Sequence, residues 1–157
     1  MMDQIQMEGI LIFHGDFRHA RRFASEILRA KFHTRNRTQI RDVTHLALNT
    51  ALIVSYGRPF FKNYNFGNGI SSLKSCAATV LTDSEDLNLH NKVLSLRLKV
   101  YAHSDGDSHL LTGFNYNGPG PKFTKDPFAM LDKSETRRLK SICDRWIAYL
   151  EEQRAAR

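Results

Sequence analysis

The sequence predicts an all-α fold: an antiparallel four-helix bundle with a long non-helical excursion between the last two helices. Three observations predict it. Apolar residues recur at three- and four-residue spacing in four segments. The alternating pattern of a half-buried strand is nearly absent, which argues for helices packed on helices. Residues 104–131 lose the helical period altogether, although they lie inside one small domain spanning residues 1–157.

The first helix is expected from about Gln4 to Lys31, where Ile10, Phe13, Phe17, Ala20, Ala24 and Ile27 form one stripe. Arg18, Arg21, Arg22 and Arg29 fall largely on other faces. Gly9 and Gly15 weaken its start, so Gly9–His14 also reads as a short strand. The second helix is expected from about Thr38 to Gly57. Ile40, Val43, Ala47, Ala51 and Val54 make its stripe, and Gly57-Arg58-Pro59 ends or kinks it. Tyr64-Asn65-Phe66-Gly67-Asn68-Gly69 is turn chemistry, and Ile70–Thr79 reads as one short helix.

The third long helix starts at Asp83 or Ser84, with Glu85 and Asp86 in its first turn where the helix dipole favours acids. It runs to about His103. Leu89, Val93, Leu96, Val100 and His103 form one stripe; His90, Leu94, Arg97 and Tyr101 form the next. Arg97 and His103 therefore flank the inward side near the helix end. The last helix runs from about Lys133 to Arg154, with capping-box spacing between Asp132 and Glu135. Leu139, Ile142, Cys143, Trp146, Tyr149 and Leu150 face inward. The expected core is Phe17, Ala24, Val43, Ala47, Val54, Val93, Leu96, Val100, Leu139, Ile142 and Trp146.

Charge narrows the function classes. The net charge of +7 is concentrated in residues 1–62, with ten Lys/Arg against five Asp/Glu. Such an excess points to polyanionic partners, nucleic acid first, or to a solvated helix face. No apolar run approaches the roughly 18 residues of a membrane span, so no membrane partner is expected. The N-terminus has no basic segment followed by an apolar one, so a secretory signal is not expected and the cytoplasm is the expected location. Cys76 and Cys143 form no ligand pattern, and Cys143 reads as a small buried hydrophobe. His103, Asp105 and His109 are the tightest set of potential ligands but lack zinc or iron spacing, so neither metal nor cofactor is expected. Gly118-Pro119-Gly120-Pro121 reads as a turn. Phe60, Phe61, Tyr64 and Phe66, beside Arg58 and Lys62, suit either stacking on unpaired bases or packing of a loop onto the bundle.

The chemistry converges on Leu94–Asp105. Metal-free RNA cleavage needs a base for the 2′-OH proton, an acid for the leaving oxygen and a cation for the developing charge. Histidine titrates near neutrality, and arginine stays charged with a planar fork that matches phosphate oxygens. Arg97 and His103 are six residues apart, about 120° around a helix, so a complete site needs a bend at the helix end or a second chain. The bland alternatives are a structural ion pair of Arg97 with Glu85, Asp86 or an acid on the last helix, and a His103 bonded to terminal carbonyls.

The stretch Arg97-Leu98-Lys99-Val100-Tyr101-Ala102-His103, followed by Ser104-Asp105, resembles the R-x4–6-H signature of the HEPN superfamily. The likeness extends upstream through Leu89–Leu96, and Val54–Phe60 is similar to an earlier helix of uncharacterised members. The resemblance implies a helical bundle that forms a homodimer, with Arg97 and His103 of both subunits lining one cleft. It implies a metal-independent endoribonuclease, a toxin or phage-defence effector with a cognate antitoxin. Its alternative is a non-catalytic module that binds a nucleotide, RNA or protein. Arg97 would stabilise the phosphate and His103 would transfer protons. Lys99, Tyr101, Ser104 and Asp105 are the candidate substrate-binding residues. The position after the motif arginine, often polar in active members, holds Leu98, and Asp105 stands where one subgroup carries a modifiable tyrosine.

Overall fold

The computed structural model describes residues 4–32, 43–61, 72–98, 111–112, 122–123 and 130–156. Among these the fold is all-helical, apart from one short ribbon. The helices are α1 (Gln4–Arg29), α2 (Val43–Gly57), α3 (Ala77–Val80), α4 (Ser84–Leu96) and α5 (Lys133–Ala155). Single 3-10 turns occupy Arg58–Phe60 and Lys74–Cys76. The expected short helix before residue 80 is thus a 3-10 turn leading directly into α3. Strands β1 (Leu111–Thr112) and β2 (Lys122–Phe123) pair antiparallel, with Leu111 opposite Phe123. The rest of the 104–129 excursion, and Val100, lie outside the described residues.

Local chemistry sets the helix ends. The Asp83 carboxylate caps α4 by accepting from the backbone N–H groups of Glu85 and Asp86. Asp132 and Glu135 close a reciprocal capping box on α5. Past α1, Lys31 takes a positive φ of 53°, the left-handed conformation that stops a helix. No strand forms at Gly9–His14, which lies inside α1. No helix of the described residues is long and apolar enough to cross a membrane.

Helix α1 packs most extensively against α5 and α2. Its neighbours run antiparallel to it. His14 meets Glu151 and Arg21 meets Asp144, so α5 descends as α1 rises. Phe17 meets Tyr56 while Phe32 stacks on His45, so α2 also runs the other way. Every residue of the predicted α1 stripe is buried, as are Val93, Leu139, Ile142, Cys143, Trp146 and Leu150. Burial pushes the Cys143 thiol far above its usual range, which leaves it unreactive.

Helix α2 departs from the predicted phase. Val43 is 74% exposed and Ala47 is exposed, while Ala51 and Val54 are half-buried. The buried face instead carries His45, Asn49, Leu52, Ile53 and Tyr56. The helix is apolar on several sides, so periodicity does not fix its rotation. Burying the larger Leu52, Ile53 and Tyr56 removes more apolar surface from water than burying Val43 and Ala47. The polar members of that face have partners: the Asn49 side-chain oxygen accepts from the Leu131 backbone N–H at 3.2 Å, and His45 stacks on Phe32. Leu96, also expected in the core, is half-buried at its edge.

The centre is aromatic. Phe17 stacks on Trp146 with ring centroids 5.4 Å apart and meets Tyr56 and Phe60 edge-on. His90 of α4 joins this cluster and shares a 2.8 Å hydrogen bond with the Tyr56 hydroxyl through Nδ1. Burial holds His90 down at about 4, against an ordinary value of 6.5. The unfolded chain therefore binds a proton that the folded chain refuses between those values. The His90 contribution is intact above pH 6.5 and is lost as pH falls toward 4. Asp16 acts with the opposite sign, because burial raises its carboxyl. The wild type should accordingly lose melting temperature relative to His90→Asn as pH drops through this window; parallel melting curves for the two proteins would contradict this account.

Candidate anion site at the end of the fourth helix

Arg97 follows the last regular residue of α4. Its backbone stays helical, with φ −57° and ψ −48°, and residues 97–98 widen into a π turn, a feature often found at functional sites. The side chain crosses the surface of α2 at Gly57. A Cβ on Gly57 would lie 2.1 Å from the Arg97 Cδ. Gly57 has φ −76° and ψ −25°, which any residue adopts, so its glycine serves close approach and not backbone conformation. The guanidinium then rests over the Phe61 ring, with its central carbon 4.2 Å from the ring centroid.

Arg97 forms no hydrogen bond or ion pair among the described residues, and its Nε is buried without a partner. Neither Glu85 nor Asp86 is the partner of Arg97. Glu85 and Asp86 engage α5 instead: Arg138 bonds Asp86 at 2.6 Å and also binds Glu85, while Arg145 takes the other Asp86 oxygen. Asp86 is 3% exposed, and a buried carboxylate of this kind needs such cations.

Asp16 and Arg58 complete the surroundings. Asp16 lies on α1 one residue before Phe17 and is buried; Arg58 opens the 3-10 turn after α2 and donates from Nη1 to Asp16 Oδ1 at 3.0 Å. Burial raises the Asp16 carboxyl, against the lowering pull of Arg58, His19 and Arg97. Burial also lowers the Arg97 guanidinium; the neighbouring Arg58 charge adds to this and Asp16 opposes it. One carboxylate thus stands against two nearby guanidiniums, of which only Arg58 bonds it, and the group carries a net positive charge.

The described surface carries two grooves. A groove on α1 is lined by Gly15, Arg18, His19, Arg21, Arg22 and Ser25. Arg21 is tied to Asp144 at 3.1 Å, whereas Arg18 and Arg22 carry no ion pair among the described residues. On the other side, Phe60, Phe61, Leu94 and Leu98 line a more apolar groove edged by Ser72, Lys74 and Ser95.

Of the site residues predicted from sequence, Arg97 is described; Lys99, Tyr101, His103, Ser104 and Asp105 lie outside the described residues. Among the described residues no three His, Cys, Asp or Glu side chains gather as a metal site. The sequence reading missed Asp16 and Arg58 as members of the cluster, because they are 42 residues apart. One signal was present: Asp16 falls, by helical phase, on the inward edge of α1 between Phe13 and Ala20. No family model matches the chain, and neither a curated protein nor a solved structure shows significant similarity to it.

The Gly57–Arg97 contact generates a test. Replacing a helical glycine by alanine ordinarily stabilises by about 1 kcal/mol. Here Gly57→Ala should destabilise, because the added methyl meets the middle of the Arg97 chain. In the Arg97→Ala background the same change should become neutral or stabilising. Urea denaturation of the four proteins should give a coupling of about 1 kcal/mol or more; additive effects would show that the two residues do not share this space.

Proposed function

We propose that the protein is a metal-independent endoribonuclease of the HEPN kind, a four-helix bundle acting as a homodimer that brings two Arg97/His103 pairs to one cleft. The observation that carries the reading is Arg97: a guanidinium without an ion pair among the described residues, its Nε buried, set at a helix end beside a second arginine. Buried Asp86 is paired by Arg138 and Arg145 and buried Asp16 by Arg58, and neither takes up Arg97, which supports its being kept for a ligand. The charge of the α1 groove suits flanking phosphates, and the apolar groove beside Phe61 suits a base.

The chemistry follows from these groups. A His103 imidazole removes the 2′-OH proton, and the 2′-oxygen attacks the adjacent phosphorus. The 5′-oxygen leaves with a proton from the second His103, so the products are a 2′,3′-cyclic phosphate and a free 5′-hydroxyl. Arg97 holds the phosphoryl oxygens as negative charge develops on them. A toxin or phage-defence role with a cognate antitoxin fits such an activity, and RNA is the expected macromolecular partner.

One observation favours a second reading. Leu98, 43% exposed, follows Arg97 where active members of the superfamily it resembles often carry a polar group. It suits a non-catalytic module that binds RNA, a nucleotide or a protein through the same cations.

Incubation with structured RNA in EDTA separates the two. The wild type should cut and leave a 2′,3′-cyclic phosphate, and Arg97→Ala and His103→Ala should each slow cleavage by about a hundredfold or more. Retention of RNA without any cleavage would give the protein to the second reading.

A further inference from the structure

We infer that Arg58, held in place by Asp16, is a second phosphate-binding arm, so that Arg58 and Arg97 together form a two-guanidinium clamp for one RNA phosphodiester. The inference rests on the reading of Arg97 as a phosphate-binding group, and it assigns substrate contact to a residue outside the Arg97–His103 motif.

The geometry argues for a working pair and not for a simple structural salt bridge. The Asp16 side chain is 6% exposed, while its Arg58 partner is 54% exposed. Arg58 uses Nη1 on Asp16, and its Nη2 and Nε make no hydrogen bond among the described residues. A planar fork anchored at one nitrogen presents the others in a fixed direction, the geometry that phosphate oxygens accept. Its base is rigid: Arg58 opens a 3-10 turn whose next two residues, Pro59 and Phe60, are buried. The Arg97 guanidinium is held in a different way, by the Phe61 face below it and the bare Gly57 backbone behind it.

Electrostatics supplies the ligand class. The Arg97 side chain lies against Gly57, the residue directly before Arg58, so the two like charges repel, and Asp16 offsets one of them. An anion between the guanidiniums removes that repulsion and satisfies the remaining donors. His19, whose charge pulls on the Asp16 carboxyl, also lines the basic α1 groove, a surface suited to further phosphates.

The test uses a fluorescein-labelled decauridylate with 2′-O-methyl groups throughout, which binds without being cut, read by fluorescence anisotropy across a range of KCl concentrations. Arg58→Ala should weaken binding about tenfold and reduce the salt slope by about one. Arg58→Lys should keep the slope without restoring affinity. Asp16→Asn is the discriminating variant for a positioning residue. It removes a negative charge from a cationic site, so a purely electrostatic role predicts tighter binding; loss of Arg58 placement predicts weaker binding with a shallower slope. Melting curves confirm that each variant is folded, and the exposed Arg58 keeps the test intact if Asp16→Asn is not. Arg58→Ala binding within twofold of wild type, tighter binding by Asp16→Asn, or no binding by the wild type overturns the clamp. Cleavage by a wild type whose rate Arg58→Ala leaves unchanged would sink the clamp and spare the ribonuclease reading. Loss of binding in Arg58→Ala and Arg97→Ala, with no cleavage by the wild type, would do the reverse.

Discussion

The stack of Phe17 on Trp146 is the contact on which the remaining geometry hangs. Phe17 sits on α1, Trp146 on α5, and the edges of Tyr56 and Phe60 close the cluster from α2 and the turn beyond it. Large rigid rings with few side-chain torsions lose little entropy on burial, so they fix the rotation of each helix closely. The site residues are sequence neighbours of these anchors. Asp16 precedes Phe17; Gly57 and Arg58 follow Tyr56; Phe61 follows Phe60. Locking the aromatic centre therefore locks the carboxylate, the glycine gap, the exposed arginine and the ring beneath Arg97, each at the boundary between core and solvent.

The two buried acids among the described residues are treated in opposite ways. Asp86 receives Arg138 and Arg145 on its two oxygens, and Arg138 also reaches Asp83 and Glu85. That network ties α4 to α5, and only the Arg145 Nε in it is buried without a hydrogen-bond partner among the described residues. Asp16 receives one hydrogen bond from an arginine that keeps half of its surface in water, while a second arginine stands near without touching it. The first arrangement spends cations on structure. The second leaves them oriented and under-neutralised, the condition in which an incoming anion gains most.

Much of the fold was legible because α1 and α5 are strongly two-faced. Their apolar stripes could be assigned from spacing, and the Asp83 and Asp132 caps from residue type. Helix α2 resisted the same reasoning. Val43 and Ala47 repeat as regularly as Asn49, Leu52 and Tyr56, and side-chain size together with a backbone partner for Asn49 decided which face turned inward. At the site, the position of Arg97 on an inward-flanking stripe could be read from phase. The role of Gly57 could not: beside Pro59 it looks like a helix terminator, and its function as a gap depends on a side chain forty residues later. Asp16 and Arg58 meet through tertiary packing alone, which no local pattern encodes.

Arg97, which has no ion pair among the described residues, is proposed to hold a phosphodiester. Nitrogen-15 NMR of arginine Nε–H groups tests it directly, with the Arg97 signal assigned by Arg97→Lys. Titration with the 2′-O-methyl decauridylate should move the Arg97 resonance strongly and saturably, while the Arg138 resonance, bonded to Asp86, stays in place. An Arg97 resonance that remains fixed while the oligonucleotide binds would contradict the account.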